Sequence, residues 1–267
     1  MRRHRRFPLL SLLVVLAVGA GIGYMTFLDV DVPAQAWNQV RASLGGLAES
    51  LQLISRSLAD VTFEDVAPAQ DPTPLLVNED NPLPEDYVPQ DLVLMREYCD
   101  EDVVYIKGSE IEGNREAVDK LMEMLRAAIA DGLGDWQISA GYRSVAYQQQ
   151  LWDNRVYEYR QQGLSASEAQ SATARYVAVP GSSEHHTGLA FDVTVPGESF
   201  PLTEQSKWLA EHCWDYGFII RYTEEKEDIT GISAEPWHVR YVGQPHARIM
   251  RDENWCLEEY IASLTTP

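Results

Sequence analysis

Cysteine is scarce in this chain, with three residues in 267, Cys99, Cys213 and Cys256, and no C-x-x-C spacing among them. That excludes a disulfide-stapled scaffold and a thiolate metal knot. An oxidising compartment would still permit one bridge, and Cys213 with Cys256, each in or near a predicted helix, is the pair the sequence allows. Positive charge is also thin: 21 Lys and Arg stand against 41 Asp and Glu. Four of those bases fall within the first six residues, which leaves 17 against 41 and a formal charge of −24 for the rest. Nucleic acid is therefore excluded as a partner, and the acidic surplus reads as solubility. Internal repeats are absent.

What the chain does have begins at its N-terminus. Residues 2 to 6 read Arg-Arg-His-Arg-Arg, and the 22 residues from Phe7 to Leu28 carry no charge. At about 1.5 Å per helical residue such a run reaches roughly 33 Å, enough to cross a hydrocarbon core of about 30 Å. The arginines should stay inside and send the remainder across the membrane. Val18-Gly19-Ala20 offers the alternative of a cleaved signal peptide, and both readings export the protein. From Asp29 to Gln70 one helical pattern, Leu44, Leu47, Leu51 and Leu58, reads as a stalk, and Pro68, Pro72, Pro74, Pro82, Pro84 and Pro89 then mark an extended linker. The expected organisation is a membrane anchor over 1–28, a stalk and linker over 29–74, and one domain over 75–267.

Within that domain Val118, Leu121, Met122, Leu125, Ala128 and Ile129 recur at helical spacing after Asn114 and before Gly132. A second helix is predicted from the Ser165 to Glu168 capping box, and a third over Thr203 to Tyr216, stopped by Gly217. Short β-rich runs lie at Trp136 to Ser139, Leu189 to Val195, Phe218 to Tyr222 and His238 to Val242. Helices gathered first and strands spread singly predict a small α+β domain with a mostly antiparallel sheet and flanking helices.

The chemistry-bearing residues cluster in two short stretches. Ser183-Glu184-His185-His186-Thr187-Gly188-Leu189-Ala190-Phe191-Asp192 sets a His and an Asp seven positions apart, and Glu235-Pro236-Trp237-His238 adds a second His with a Glu three residues before it. A catalytic zinc ion takes three N or O ligands and keeps a fourth position for water. His185, Asp192 and His238 would supply the three, with Glu235 as the base beside the water. His186 is a rival ligand to His185, and spacing does not choose between them. His4, His212 and His246 read as non-functional.

These residues resemble the LAS metallopeptidases, and most closely the VanY-type D-alanyl-D-alanine carboxypeptidases. The family pattern S-x-H-x-x-G-x-A-x-D is met by Ser183, His185, Gly188, Ala190 and Asp192, and E-x-W-H by Glu235, Trp237 and His238. The resemblance selects His185 over His186 as ligand. It also implies that Gly141-Tyr142-Arg143-Ser144 is a substrate-binding turn, with Gln148 as a following polar contact. Tyr222, Ser183 and Trp237 become expected substrate contacts. Arg143 would clamp a terminal carboxylate or a developing oxyanion, since its fork of donors suits either.

The implied protein is an extracytoplasmic, membrane-anchored peptidase with one Zn²⁺ per chain, acting on peptidoglycan stem peptides and removing their C-terminal D-alanine. L,D-carboxypeptidase, dipeptidase and endopeptidase are the alternatives within the family. A wall-binding module that has lost catalysis is the alternative outside it, and the presence of Glu235 beside all three ligands argues against that.

Overall fold

The structure, a computed structural model, describes Pro72 and residues 74–265. The expected anchor and all but the end of the stalk and linker lie outside the described residues. No described helix is long and apolar enough to cross a membrane.

In chain order the elements begin with β1 (Leu92–Leu94), α1 (Met95–Tyr98), β2 (Tyr105–Ile106), β3 (Glu112–Asn114) and α2 (Arg115–Ala130). Then come β4 (Gln137–Ala140), α3 (Val145–Gln161), α4 (Ala166–Ala174), a 3-10 turn (Glu184–Thr187) and β5 (Ala190–Thr194). The remainder is α5 (Glu204–His212), β6 (Phe218–Tyr222), α6 (Glu227–Thr230), β7 (Glu235–Tyr241), α7 (Gln244–Glu253) and α8 (Leu257–Thr265). β1 and β3 pair as an antiparallel ribbon. The main sheet has the order β2-β4-β5-β7-β6. It is mixed: β2 runs parallel to β4, and the other neighbours are antiparallel.

α2 forms where the apolar spacing places it. Asn114 caps its first turn by accepting from the Ala117 N–H at 3.2 Å, a contact worth about 1 kcal/mol. Val118, Leu121, Leu125 and Ala128 are fully buried and pack against Ile138, Phe191, Val193, Phe218 and Val239 of the sheet. Each such side chain contributes about 1.5–3 kcal/mol by leaving water. The capping box at Ser165 and Glu168 is formed and opens α4. The third predicted helix is α5 followed by a 3-10 turn over Cys213–Tyr216, and Gly217 closes it at φ 83°.

Strand alternation divides the sheet. Phe191 and Val193 of β5 point into the core, so Asp192 between them points to the other face. On β7 Val239 is core, which turns His238 and Arg240 the same way as Asp192. On this second face Ile219, Val242, Ala247, Met250, Leu257 and Tyr260 form a smaller apolar cluster under α7 and α8. The Cys213–Cys256 bridge does not form. All three cysteines are free and buried, Cys213 packed in the main core, where burial pushes its thiol pKa up.

Candidate metal and active site

Two glycines let the site close. Gly188 ends the 3-10 turn at φ 72°, and a Cβ there would sit 2.6 Å from Leu92 Cδ2. Gly141 follows β4, and a Cβ there would run into the Glu112 carbonyl oxygen. With no side chain in the way, the Gly141 carbonyl lies 2.7 Å from His185 Nδ1. Nδ1–H donates to it, and the lone pair of Nε2 is left facing inward.

β5 and β7 bring the other two groups. Asp192 and His238 are Cα partners in the antiparallel ladder. Asp192 Oδ1 lies 3.5 Å from His185 Nε2 and 3.4 Å from His238 Nδ1. One ligand atom from each of the three residues lies within 4.8 Å of the others. His238 turns its second nitrogen, Nε2, toward Glu184 Oε2 at 3.4 Å, and neither atom has a hydrogen-bond partner among the described residues. Glu235 Oε2 stands 3.7 Å from His238 Nδ1.

The electrostatics follow from burial and from these neighbours. Burial disfavours a charged His238, but Asp192, Glu184 and Glu235 outweigh it and push the pKa up to about 9. His185 is shifted down, by burial first and then by Arg143. Burial pushes Glu235 up; the nearby His238 and Arg143 cations partly oppose this, Asp192 adds to it, and the carboxyl settles at about 7. Burial also opposes the Asp192 anion, yet His185 and His238 hold that carboxyl well below the usual range.

Arg143 sits on the turn between β4 and α3. Ser144 caps α3 by accepting from the Tyr147 N–H. The Arg143 N–H donates to the His185 carbonyl at 3.0 Å, so arginine and histidine are tied through the backbone. Its guanidinium donates to Gln148 Oε1 at 2.8 Å and stands 4.0 Å from Asp192. A cavity of about 330 Å³ opens over this group, lined by Arg143, Ser183, Tyr222, Glu235 and Trp237 together with the three converging residues.

Two imidazoles and a carboxylate, one imidazole nitrogen fixed by a carbonyl and the other backed by a carboxylate, are a donor set that fits a catalytic zinc ion. Residues 110–244 match the VanY family model, described as D-alanyl-D-alanine carboxypeptidase. A D-alanyl-D-alanine carboxypeptidase of Enterococcus faecalis (strain ATCC 700802 / V583) is 37% identical over 192 residues, covering 70% of this chain and 65% of that protein. This chain belongs to the VanY family.

Among solved structures, VanYB in complex with D-alanine-D-alanine is 35% identical with a TM-score of 0.62, the match covering 70% of this VanY-family chain and 96% of that one. A zinc complex of a vancomycin-resistance D,D-pentapeptidase VanY variant is 35% identical with a TM-score of 0.60, covering 70% and 97%. The chain spans 56% to 65% of the length of three curated relatives at 35% to 38% identity.

His186 is set apart from the group. Its Nδ1 donates to the Arg143 carbonyl at 2.6 Å and its Nε2 accepts from the Gly181 N–H at 3.2 Å, so both nitrogens are engaged elsewhere. Gln148 is also displaced from its expected place. It is fully buried, and its amide bridges Arg143 and the Ala178 carbonyl at 2.7 Å, so it holds the arginine from behind and does not line the cavity. His212 stacks on Trp208, and His246 meets the Tyr260 hydroxyl at 2.6 Å.

Sequence reasoning passed over two features of this VanY-family site. Leu151, Asn154, Arg155 and Glu158 of α3 share one face at helical spacing and form a cavity wall. Glu184, adjacent to His185, is the other. Burial opposes its charge, but Arg221 and Arg240 hold the carboxyl well below the usual range. The polar sequence around it, Ser182-Ser183-Glu184-His185-His186-Thr187, carries no sign of that burial.

Proposed function

We propose that this chain is a zinc-dependent carboxypeptidase that removes the C-terminal D-alanine from peptidoglycan stem peptides. The observation that carries the reading is the meeting of His185 Nε2, Asp192 Oδ1 and His238 Nδ1 at one cavity that also holds Glu235 and Arg143. His185, Asp192 and His238 would hold the ion. Bound there, zinc supplies Lewis-acid polarisation of a carbonyl and lowers the pKa of a water.

Glu235 acts as the base. Its carboxyl stands 3.7 Å from His238 Nδ1 at the edge of the cavity, placed to take a proton from the attacking water and return it to the leaving amine. Arg143, braced by Gln148, offers its remaining donors to the substrate's terminal carboxylate or to the oxygen that gains charge. Ser183, Tyr222 and Trp237 line the same cavity and contact the peptide. The Tyr222 ring rests 5.0 Å from that of His238 and so also packs the ligand. The reading includes export: the arginine cluster and the uncharged run from Phe7 to Leu28 support a single-pass anchor, or a cleaved leader, with the catalytic domain outside the membrane.

The test is release of D-alanine from a pentapeptide ending in D-Ala-D-Ala by the whole chain, with chelator and after zinc is restored. Zinc-dependent release supports the reading. Release only from a tetrapeptide ending in one D-Ala indicates an L,D-carboxypeptidase, and cleavage only of free D-Ala-D-Ala a dipeptidase. Loss of nothing from any of these by the zinc-loaded protein would mean a binding module and overturn it.

A further inference from the structure

On the side of His238 away from the cavity lies a set of buried charges. Glu184 Oε1 accepts from Arg221 Nε at 2.8 Å and stands 2.9 Å from Arg240 Nη1. Arg221 donates from Nη1 and Nη2 to the two carboxylate oxygens of Glu258 on α8, at 2.9 and 2.6 Å. Asn78 donates to Glu258 at 3.0 Å, and Arg240 donates to the Leu75 carbonyl at 2.8 Å. The side chains of Glu184, Arg221 and Arg240 are at most 1% exposed, and that of Glu258 is 14% exposed.

Two acids and two guanidiniums balance, so a neutral His238 can face Glu184 without adding net charge. Such a network is a poor stabiliser. Desolvation offsets the attraction, and apolar residues of similar volume often serve stability as well or better. What apolar residues would not provide is an oxygen facing His238 Nε2. A carboxylate oxygen 3.4 Å away favours by its charge the tautomer with the proton on Nε2, which leaves the Nδ1 lone pair toward Asp192 and His185.

We propose that Glu184 is a positioning residue for the metal, acting through His238, and that Arg221 and Glu258 hold it in place with Asn78 behind them. The proposal rests on the zinc site proposed above. It extends the metal centre beyond residues 110–244, because Asn78 and Glu258 lie outside the span matched by the family model.

The test measures zinc affinity by chelator competition for the whole chain and its Glu184→Gln and Glu258→Gln variants, with folding followed by circular dichroism. Each variant is also loaded with cobalt, whose visible absorption reports ligand geometry. Glu184→Gln should weaken zinc about 10- to 100-fold and alter the cobalt bands. Glu258→Gln touches no ligand and should weaken it in the same direction by a smaller factor. Folded variants that both hold zinc within twofold of wild type, with unchanged cobalt spectra, overturn the proposal. Should Glu184→Gln not fold, the charge-balanced pair Glu184→Gln with Arg240→Met takes its place. If that pair also fails, Glu258→Gln decides alone, wild-type affinity counting against. A wild-type chain that takes no zinc overturns the proposed function itself and this inference with it.

Discussion

Asp192 and His238 face one another across the β5–β7 ladder, and the side chain of Asp192 touches both histidines: its Oδ1 is 3.4 Å from His238 Nδ1 and 3.5 Å from His185 Nε2. One carboxylate oxygen therefore ties a strand pair to a loop turn. Removing any of the three leaves two donors, too few for the fixed site a catalytic zinc needs.

His185→Ala, Asp192→Ala and His238→Ala should each strip the metal, lowering zinc affinity by more than about 100-fold, since even an outer partner of a ligand costs about 10- to 100-fold. His186→Ala should keep it, because both nitrogens of His186 are bonded elsewhere. Metal content after dialysis against a weak chelator checks this, and a zinc-loaded His185→Ala beside an empty His186→Ala would reverse the assignment.

Glu235→Ala should retain zinc and fold normally while losing about two to four decades in kcat, the usual worth of a positioned base. Steady-state hydrolysis together with metal analysis of the same sample separates this from loss of the ion. A variant that hydrolyses near the wild-type rate would remove Glu235 from the mechanism.

Zinc uptake at pH 8 should release about one proton from His238, and a zinc-bound water that ionises near pH 7 adds to that count. In the metal-free protein His238 holds its proton up to about pH 9, so proton and metal compete for Nδ1 below that value. His185 is shifted the other way and Asp192 is held ionised, so neither adds a proton there. Glu235, at about 7, is largely ionised at pH 8 already. Affinity should thus rise with pH by at least about one decade per unit between about pH 7 and 9. Calorimetry in two buffers of different ionisation heat counts the protons, and an affinity that does not change between pH 7 and 9 would contradict the assignment.

If Arg143 meets the terminal carboxylate, a peptide with a free C-terminus should be cut faster than its amide by about one to two decades in kcat/KM, the worth of a charge-assisted hydrogen bond of about 1.5 to 3 kcal/mol. Arg143→Ala should shrink that preference, and Gln148→Leu should shrink it partly, because Gln148 holds the guanidinium without reaching the cavity. Equal slowing of acid and amide would assign Arg143 to the oxyanion, and an amide cut as fast as the acid by the wild type would point to an endopeptidase.

The parts of this chain legible in its sequence are those fixed by local periodicity. The helical spacing from Val118 to Ile129 marks α2, and strand alternation turns Asp192 and His238 away from the core that holds Phe191 and Val239. Choices made by distant partners are not legible. His185 and His186 differ through which carbonyl each reaches, Gly141 or Arg143, more than 40 residues back in the chain. Glu184 and Arg221 meet across 37 positions. β2 is a parallel pair of two residues, too short to carry a pattern. α3 has no apolar stripe, and of its 17 residues only Gln148 is buried.

α3 is held to the domain mainly through its caps and Gln148. A helix that gives the core so little is under little packing constraint, and exposed substitutions away from caps and networks usually shift stability by less than about 0.5 kcal/mol. Substitutions at Asn154 and at the exposed Arg155–Glu158 pair should therefore cost little stability, while the glycines and buried charges around His185 and His238 keep the metal end fixed. A metal centre fixed on a sheet beside a lightly packed helix is an arrangement in which the cavity wall can be recut without moving the ligands.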